Sequence, residues 1–149
     1  MNIIETDMYK KLIETIKAAR FAVLATEKNK GPYLSLVGFL LDEDLKNLYF
    51  YTPVQSRKYD NIISNPSVSL LIDSREKYAS QTDMITAVTL TGIANAVKKP
   101  ERNILKEYLS RYPELKNFTD SGLNVLIKVN IIKYIIVSNF SQVSEIVIN

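Results

Sequence analysis

Ser56-Arg57-Lys58 is the stretch of this chain whose residue types could hold an anion. It follows Tyr51-Thr52-Pro53-Val54-Gln55, a strand-like run that turns at Pro53, and it opens a helix expected over residues 57–64 with Ser56 as N-cap. A helix start presents unpaired backbone N–H groups and the positive end of the helix dipole. Cations in the first turn oppose that dipole, so local helix stability does not account for Arg57 and Lys58. A bound dianion does. A phosphate accepts from Ser56, from the helix-start N–H groups and from both cations. The competing reading is a solvated basic turn in which Ser56 is a helix cap and nothing more.

Composition removes most other chemistries. The sequence has no cysteine and no histidine. That excludes disulfides, thiol catalysis, His- or Cys-based metal sites, a Ser-His-Asp triad and a histidine general base. Asp42-Glu43-Asp44 clusters carboxylates, but in a hairpin turn with nothing nearby to complete an oxygen cage, so no metal site is expected. Net charge is +3 and the basic residues are dispersed in short pairs such as Lys10-Lys11 and Lys98-Lys99. No nucleic-acid partner is expected from such a distribution. No apolar run approaches the roughly 18 residues of a membrane span, and the first residues do not resemble a signal peptide. The expectation is therefore a cytoplasmic protein with no membrane partner. With 149 residues, 46% hydrophobic and 23% charged, the chain reads as one globular domain over 1–149.

The elements that would position the basic segment are mostly strands. Periodicity predicts a helix over 7–19, capped by Thr6, with Met8, Leu12, Ile13 and Ile16 on its apolar side. Strands are expected over 21–26, 33–41, 47–52, 68–73 and 84–97, with Gly92 marking a bulge or close approach. The helix from Arg57 carries Tyr59, Ile62 and Ile63 on its apolar side and stops at Asn65-Pro66. Residues 74–82 read as a polar loop. Pro100 opens a further helix that buries Ile104, Leu105, Tyr108 and Leu109 and ends at Tyr112-Pro113. Residues 123–129 and 133–137 are expected as two more strands, and 140–148 as an edge. Short links between consecutive strands favour antiparallel hairpins. Apolar residues on both faces of several strands suit a closed or partly closed barrel with helices at its ends.

In element order and residue type the chain resembles the pyridoxamine 5′-phosphate oxidase-like family, flavoproteins with an FMN-binding split barrel. Val23-Leu24-Ala25-Thr26 with Gly31-Pro32 is similar to the family's first hairpin. Leu48-Tyr49-Phe50-Tyr51-Thr52 with Ser56-Arg57-Lys58 resembles its FMN-phosphate segment. Asn61 with Asn65-Pro66-Ser67-Val68-Ser69-Leu70 resembles the helix and strand that follow. The resemblance implies a mainly β fold: an antiparallel, Greek-key-like split β-barrel with flanking helices, homodimeric, with the cofactor at the two-fold interface. It implies that Tyr51 and Thr52 lie against the flavin and its ribityl chain, and that Ser56, Arg57 and Lys58 hold the phosphate. Leu36, Val37 and Gly38 would offer backbone groups and a flat apolar wall to the isoalloxazine ring. Tyr108 and Arg111 resemble substrate-helix residues, at a shifted spacing. Beside these roles stand plainer ones: Tyr51 as a core aromatic, Gly38 as a bulge, Arg111 as a helix-end charge.

Departures from the family pattern bear on activity. True oxidases of the vitamin carry basic residues and a histidine near the C-terminus; here there is no histidine, and residues 140–145 contain no arginine. The family's flavin-strand arginine, substrate-phosphate lysine and fifth-strand glutamine fall at about Leu36, Leu41 and Ala87. The resemblance thus implies an FMN-dependent oxidoreductase acting on an unassigned small molecule or on NAD(P)H, and not a true pyridoxamine phosphate oxidase. The alternative is a non-catalytic flavin-binding, storage or redox-sensing protein. A relative carrying deazaflavin or haem, and a dimeric scaffold with a decayed site, complete the readings.

Overall fold

The computed structural model describes residues 3–29 and 31–149. In chain order the elements are α1 (Ile3–Ala18), β1 (Phe21–Lys28), β2 (Gly31–Gly38), β3 (Leu40–Leu41), β4 (Asn47–Pro53), α2 (Arg57–Ser64), β5 (Ser67–Asp73), β6 (Thr86–Val97), α3 (Arg102–Arg111), α4 (Lys116–Asp120), β7 (Asn124–Ser138) and β8 (Gln142–Val147). Among the described residues the strands form one antiparallel sheet in the order β2-β1-β5-β6-β7-β4-β3, with β8 also on β7. The fold is mainly β, curled into a half-barrel with helices flanking it. No helix among the described residues is long and apolar enough to cross a membrane.

The curl is organised by β7, which has three partners. It pairs with β6 along one edge from Leu126 to Ser138. Its other edge takes β4 over the first half and β8 over the second. The changeover falls at a bulge. Thr91 opposes Lys133 while Gly92 opposes Ile131, so Ile132 is the extra residue. There Ile131 N donates to Lys46 O at 2.8 Å, and Ile148 N donates to Ile132 O at 2.8 Å. Gly92 lets β6 come this close. A Cβ on it would stand 2.4 Å from the Asn130 carbonyl oxygen and 2.8 Å from Val129 Cγ1.

Inside the curl, α1 lays Met8, Leu12 and Ile16 against a core that includes Leu24, Leu70, Ile72, Val88, Leu90 and Ile136. Each such side chain contributes about 1.5–3 kcal/mol through burial. Strand β4 is buried on both faces because it divides two cores. Leu48 and Phe50 enter the main one, while Tyr49 and Tyr51 join a second cluster with Tyr108, Tyr112 and Leu126. That alternation follows from the two-residue period of a strand.

Several boundaries differ from the sequence-based expectation, each for a physical reason. Helix α1 starts at Ile3, so Thr6 lies within it; the helix runs on through Glu5, an acidic residue that suits its first turn. The strand expected over 33–41 is broken at Phe39, whose backbone turns to the Tyr112 hydroxyl instead of a strand neighbour. On α2, Ile63 is 60% exposed and Asn61 is buried in its place. Pro100 precedes α3 rather than opening it. The two C-terminal strands expected over 123–129 and 133–137 are one strand, since the bulge at Ile132 carries the ladder through.

Gly92→Ala is expected to lower stability by about 1–3 kcal/mol, because neighbouring backbone must shift to admit the methyl group. A lower midpoint in urea unfolding checks this.

Candidate functional site

The site is built where β4 hands over to α2. Ser56 has extended backbone angles (φ −96°, ψ 153°) and caps α2, its Oγ accepting from Tyr59 N at 3.2 Å. The same hydroxyl donates to Pro53 O at 2.7 Å and lies 2.9 Å from Thr52 Oγ1. Thr52 is fully buried, so it fixes the turn from within. Pro66 shortly after Ser64 and the Ser56 cap set the limits of the helix.

Neither Arg57 nor Lys58 forms an ion pair among the described residues. Lys58 is half-buried, and that burial pushes its ammonium below the usual lysine value. It borders a cavity of about 300 Å³ with Leu36, Val37, Gly38, Tyr51 and Tyr108. Six residues singled out from the sequence thus meet in one hollow. Leu115 and Phe118, from the turn after α3 and from α4, also line it. The rings of Tyr51 and Tyr108 meet edge to face, 5.1 Å between centroids. Burial raises the pKa of both phenols, so they remain protonated and neutral at physiological pH.

The cavity's β2 wall is held from behind by α3. Tyr108 donates to Gly38 O at 3.1 Å. The Tyr112 hydroxyl accepts from Phe39 N at 2.8 Å and from Arg111 Nε at 2.9 Å. Its own proton is offered to the carbonyls of Phe39 and Arg20. Arg111 also donates to Ala19 O and stands 5.0 Å over the Phe39 ring. Arg111 is therefore engaged at the α1–β1 junction and does not line the Lys58 cavity. Gly38 gives room to this contact, since a Cβ there would lie 3.1 Å from two Tyr112 ring carbons.

Arg57 turns the other way. Its guanidinium lies 4.5 Å over the Tyr33 ring and borders a second hollow, of about 330 Å³, with Lys28, Asn29, Gly31, Asp60 and Asn61. Lys28 and Asp60 are ion-paired there at 2.7 Å. Asn61 is 3% exposed, and its Nδ2 donates to Thr26 Oγ1 at 3.0 Å. On β2, between Tyr33 and Val37, Ser35 Oγ is buried without a hydrogen-bond partner among the described residues. The sequence reading passed over Ser35, Leu115 and Phe118 as site residues. For Ser35 the available signal was alternation, which puts it on the same side of β2 as Tyr33 and Val37.

No group of three or more ligating side chains that could hold a metal occurs among the described residues. The Asp42 carboxylate is used locally, accepting from Lys46 N, Asn47 N and Asn47 Nδ2 at 2.9, 3.1 and 2.7 Å.

Comparison with known proteins places this architecture. Residues 8–137 match the family model for pyridoxamine 5′-phosphate oxidase, and the chain belongs to that family. Among solved structures it is similar to a heme binding protein from Mycobacterium smegmatis, at TM-score 0.81 and 15% identity over 94% of this chain and 57% of that one. It is similar to Campylobacter jejuni ChuZ, at TM-score 0.81 and 21% identity over 98% of this chain and 61% of that one. It is also similar to an FAD-binding protein from Mesorhizobium loti, at TM-score 0.63 and 19% identity over 92% of this chain and 90% of that one. The chain spans only about three fifths of the first two relatives. At these identities the likeness is one of fold. No curated protein sequence matches the chain.

Tyr112→Phe is expected to cost about 1–3 kcal/mol, because Phe39 N–H and Arg111 lose their buried acceptor. Chemical denaturation of the variant against the parent measures it.

Proposed function

We propose that this chain is an FMN-binding flavoprotein, a single split-barrel domain over 1–149 that acts as an oxidoreductase on a small molecule or on NAD(P)H. The observation that carries this is the meeting of a half-buried Lys58, without an ion pair among the described residues, with the Leu36-Val37-Gly38 strand and Tyr51 in one apolar hollow. The residues fit the cofactor. Lys58 and the cap at Ser56 lie where a phosphate would gain charge-assisted hydrogen bonds. Tyr51 and the Val37–Gly38 backbone supply a flat wall with peptide groups along it.

When bound, FMN would supply hydride and electron transfer that the side chains cannot perform. The chain's own residues would bind the phosphate, orient the ring and exclude water from one side of it. A cavity of about 300 Å³ is at the lower limit of ligand pockets. A second copy of the chain would deepen it, and β2 offers the surface. Leu34 and Leu36 are 63% and 65% exposed on its outer side, with Phe21 of the neighbouring β1 at 51%. That supports a homodimer with the cofactor at the seam.

A second reading, a non-catalytic flavin carrier or redox sensor, is favoured by one feature. Apart from Lys58, the ionisable groups lining the cavity are tyrosines that stay neutral, so nothing there moves a proton readily at physiological pH.

Purified protein should be yellow or become so on titration with FMN, and Lys58→Ala should weaken FMN by tenfold or more, about the value of one charge-assisted hydrogen bond. Colourless protein that ignores added FMN refutes the assignment. Steady-state reduction by NADH or NADPH separates enzyme from carrier. Affinity should also depend on pH in a definite direction. The free protein holds Lys58 below 10.5 by burial, and a phosphate favours the charged form. FMN binding should therefore weaken as pH rises through the Lys58 pKa, with proton uptake on binding in that range. Calorimetry in two buffers of different ionisation enthalpy measures this.

A further inference from the structure

We propose that the cavity between α1, β3 and the end of α3 binds a free aliphatic monocarboxylate, with the carboxylate on Arg111 and the chain against Ile13, Ile16, Phe39, Leu40 and Leu41. The site is separate from the Lys58 cavity and does not depend on the flavin reading of it. Its volume is about 410 Å³, within the range of small-ligand pockets. Arg111 borders this space and not the Lys58 cavity.

Arg111 points to the charge of the ligand. Its half-buried guanidinium stands 5.0 Å over the Phe39 ring. Nε donates to the Tyr112 hydroxyl at 2.9 Å and Nη2 donates to the Ala19 carbonyl, both neutral acceptors. Nη1 takes part in neither bond, and Arg111 has no ion pair among the described residues. A charge withdrawn from water is ordinarily paired with an opposite one. The carboxylates that border the cavity do not serve. Asp42 is committed to Lys46 N, Asn47 N and Asn47 Nδ2, and the exposed Glu43 forms no ion pair among the described residues. Lys17, exposed in the last turn of α1, brings a second cation to the cavity. A clamp between α3 and the α1–β1 junction accounts for Nε and Nη2. It accounts for neither Nη1 nor the apolar cavity beside Phe39.

The walls define the rest of the ligand. Ile13 and Ile16 are neighbours one turn apart on α1, and Leu40 and Leu41 form β3. From Phe39 to Asp42 is three residue steps, about 10 Å at the rise of a strand. The cationic end therefore lies by Phe39 and the acidic end by Asp42. A chain running between them meets apolar side chains, and a second carboxylate at its far end would face Asp42 and Glu43.

Calorimetric titration of the whole protein with octanoate, octanamide and octanedioate tests this. Octanoate is expected to bind at least about tenfold more tightly than octanamide, the value of a charge-assisted hydrogen bond, and octanedioate more weakly than octanoate. Arg111→Gln should reduce octanoate to the level of octanamide. Leu41→Trp, which fills the cavity and leaves the Arg111 bonds in place, should abolish binding of both, with urea unfolding to confirm that each variant folds. Octanoate should leave an FMN titration unchanged. No binding of octanoate, octanoate no tighter than octanamide, competition with FMN, or parental affinity in Leu41→Trp each overturn the carboxylate site. If Arg111→Gln does not fold, the amide comparison and Leu41→Trp decide. A protein that binds octanoate but ignores FMN loses the flavin reading alone.

Discussion

One phenolic hydroxyl ties together parts of the chain that lie far apart in sequence. Tyr112 Oη accepts from Phe39 N–H and from Arg111, and faces the carbonyls of Phe39 and Arg20. The α1–β1 junction, the break between β2 and β3 and the end of α3 therefore share a single buried atom. A buried polar group of this kind is strongly conditional: satisfied, it sets one geometry, and unsatisfied, it is costly. Since Gly38 adjoins Phe39, the strand wall that faces Lys58 takes its position from this node. Tyr108, one helical turn earlier, reinforces it through the Gly38 carbonyl.

The arrangement also explains why β4 can be aromatic-rich and buried on both sides. Its inward residues serve the barrel core, and its outward tyrosines meet the tyrosines of α3. The cavity forms at the margin of that second cluster, where α3 and the short α4 stop and Lys58 begins. Helix–sheet packing and the cavity are thus continuous, and the same Tyr51–Tyr108 contact closes one and walls the other.

What the sequence disclosed was local. Helix α2 spans Arg57–Ser64 as expected because its cap at Ser56 and its stop at Pro66 are encoded within a few residues. Gly92 was readable as a close approach because a lone glycine in an apolar strand has few other uses. The antiparallel, strand-rich architecture followed from short links and period-two runs. What escaped was non-local. Nothing near Phe39 announces that its backbone will be claimed by a tyrosine 73 positions later. Asn61 takes the interior place expected of Ile63 because Thr26, on strand β1, offers it a partner. Arg57 and Lys58 read as a joint clamp in one dimension, and the helix turn placed them beside separate spaces.

The bulge at Ile132 has a consequence for the parity of β7. Ahead of it the odd-numbered Ile127, Val129 and Ile131 point inward; behind it the even-numbered Tyr134, Ile136 and Ser138 do. One surplus residue thus reverses which positions count as interior, halfway along a continuous strand. Deleting Ile132 would put Tyr134 two places after Ile131 and restore a uniform count with the same side chains inward, whereas a single insertion or deletion elsewhere in the strand would turn one half inside out. Away from the bulge, length changes in this strand are therefore not neutral in units of one, and a relative that lacks the surplus residue must place its inward side chains on the opposite parity over one half of the strand.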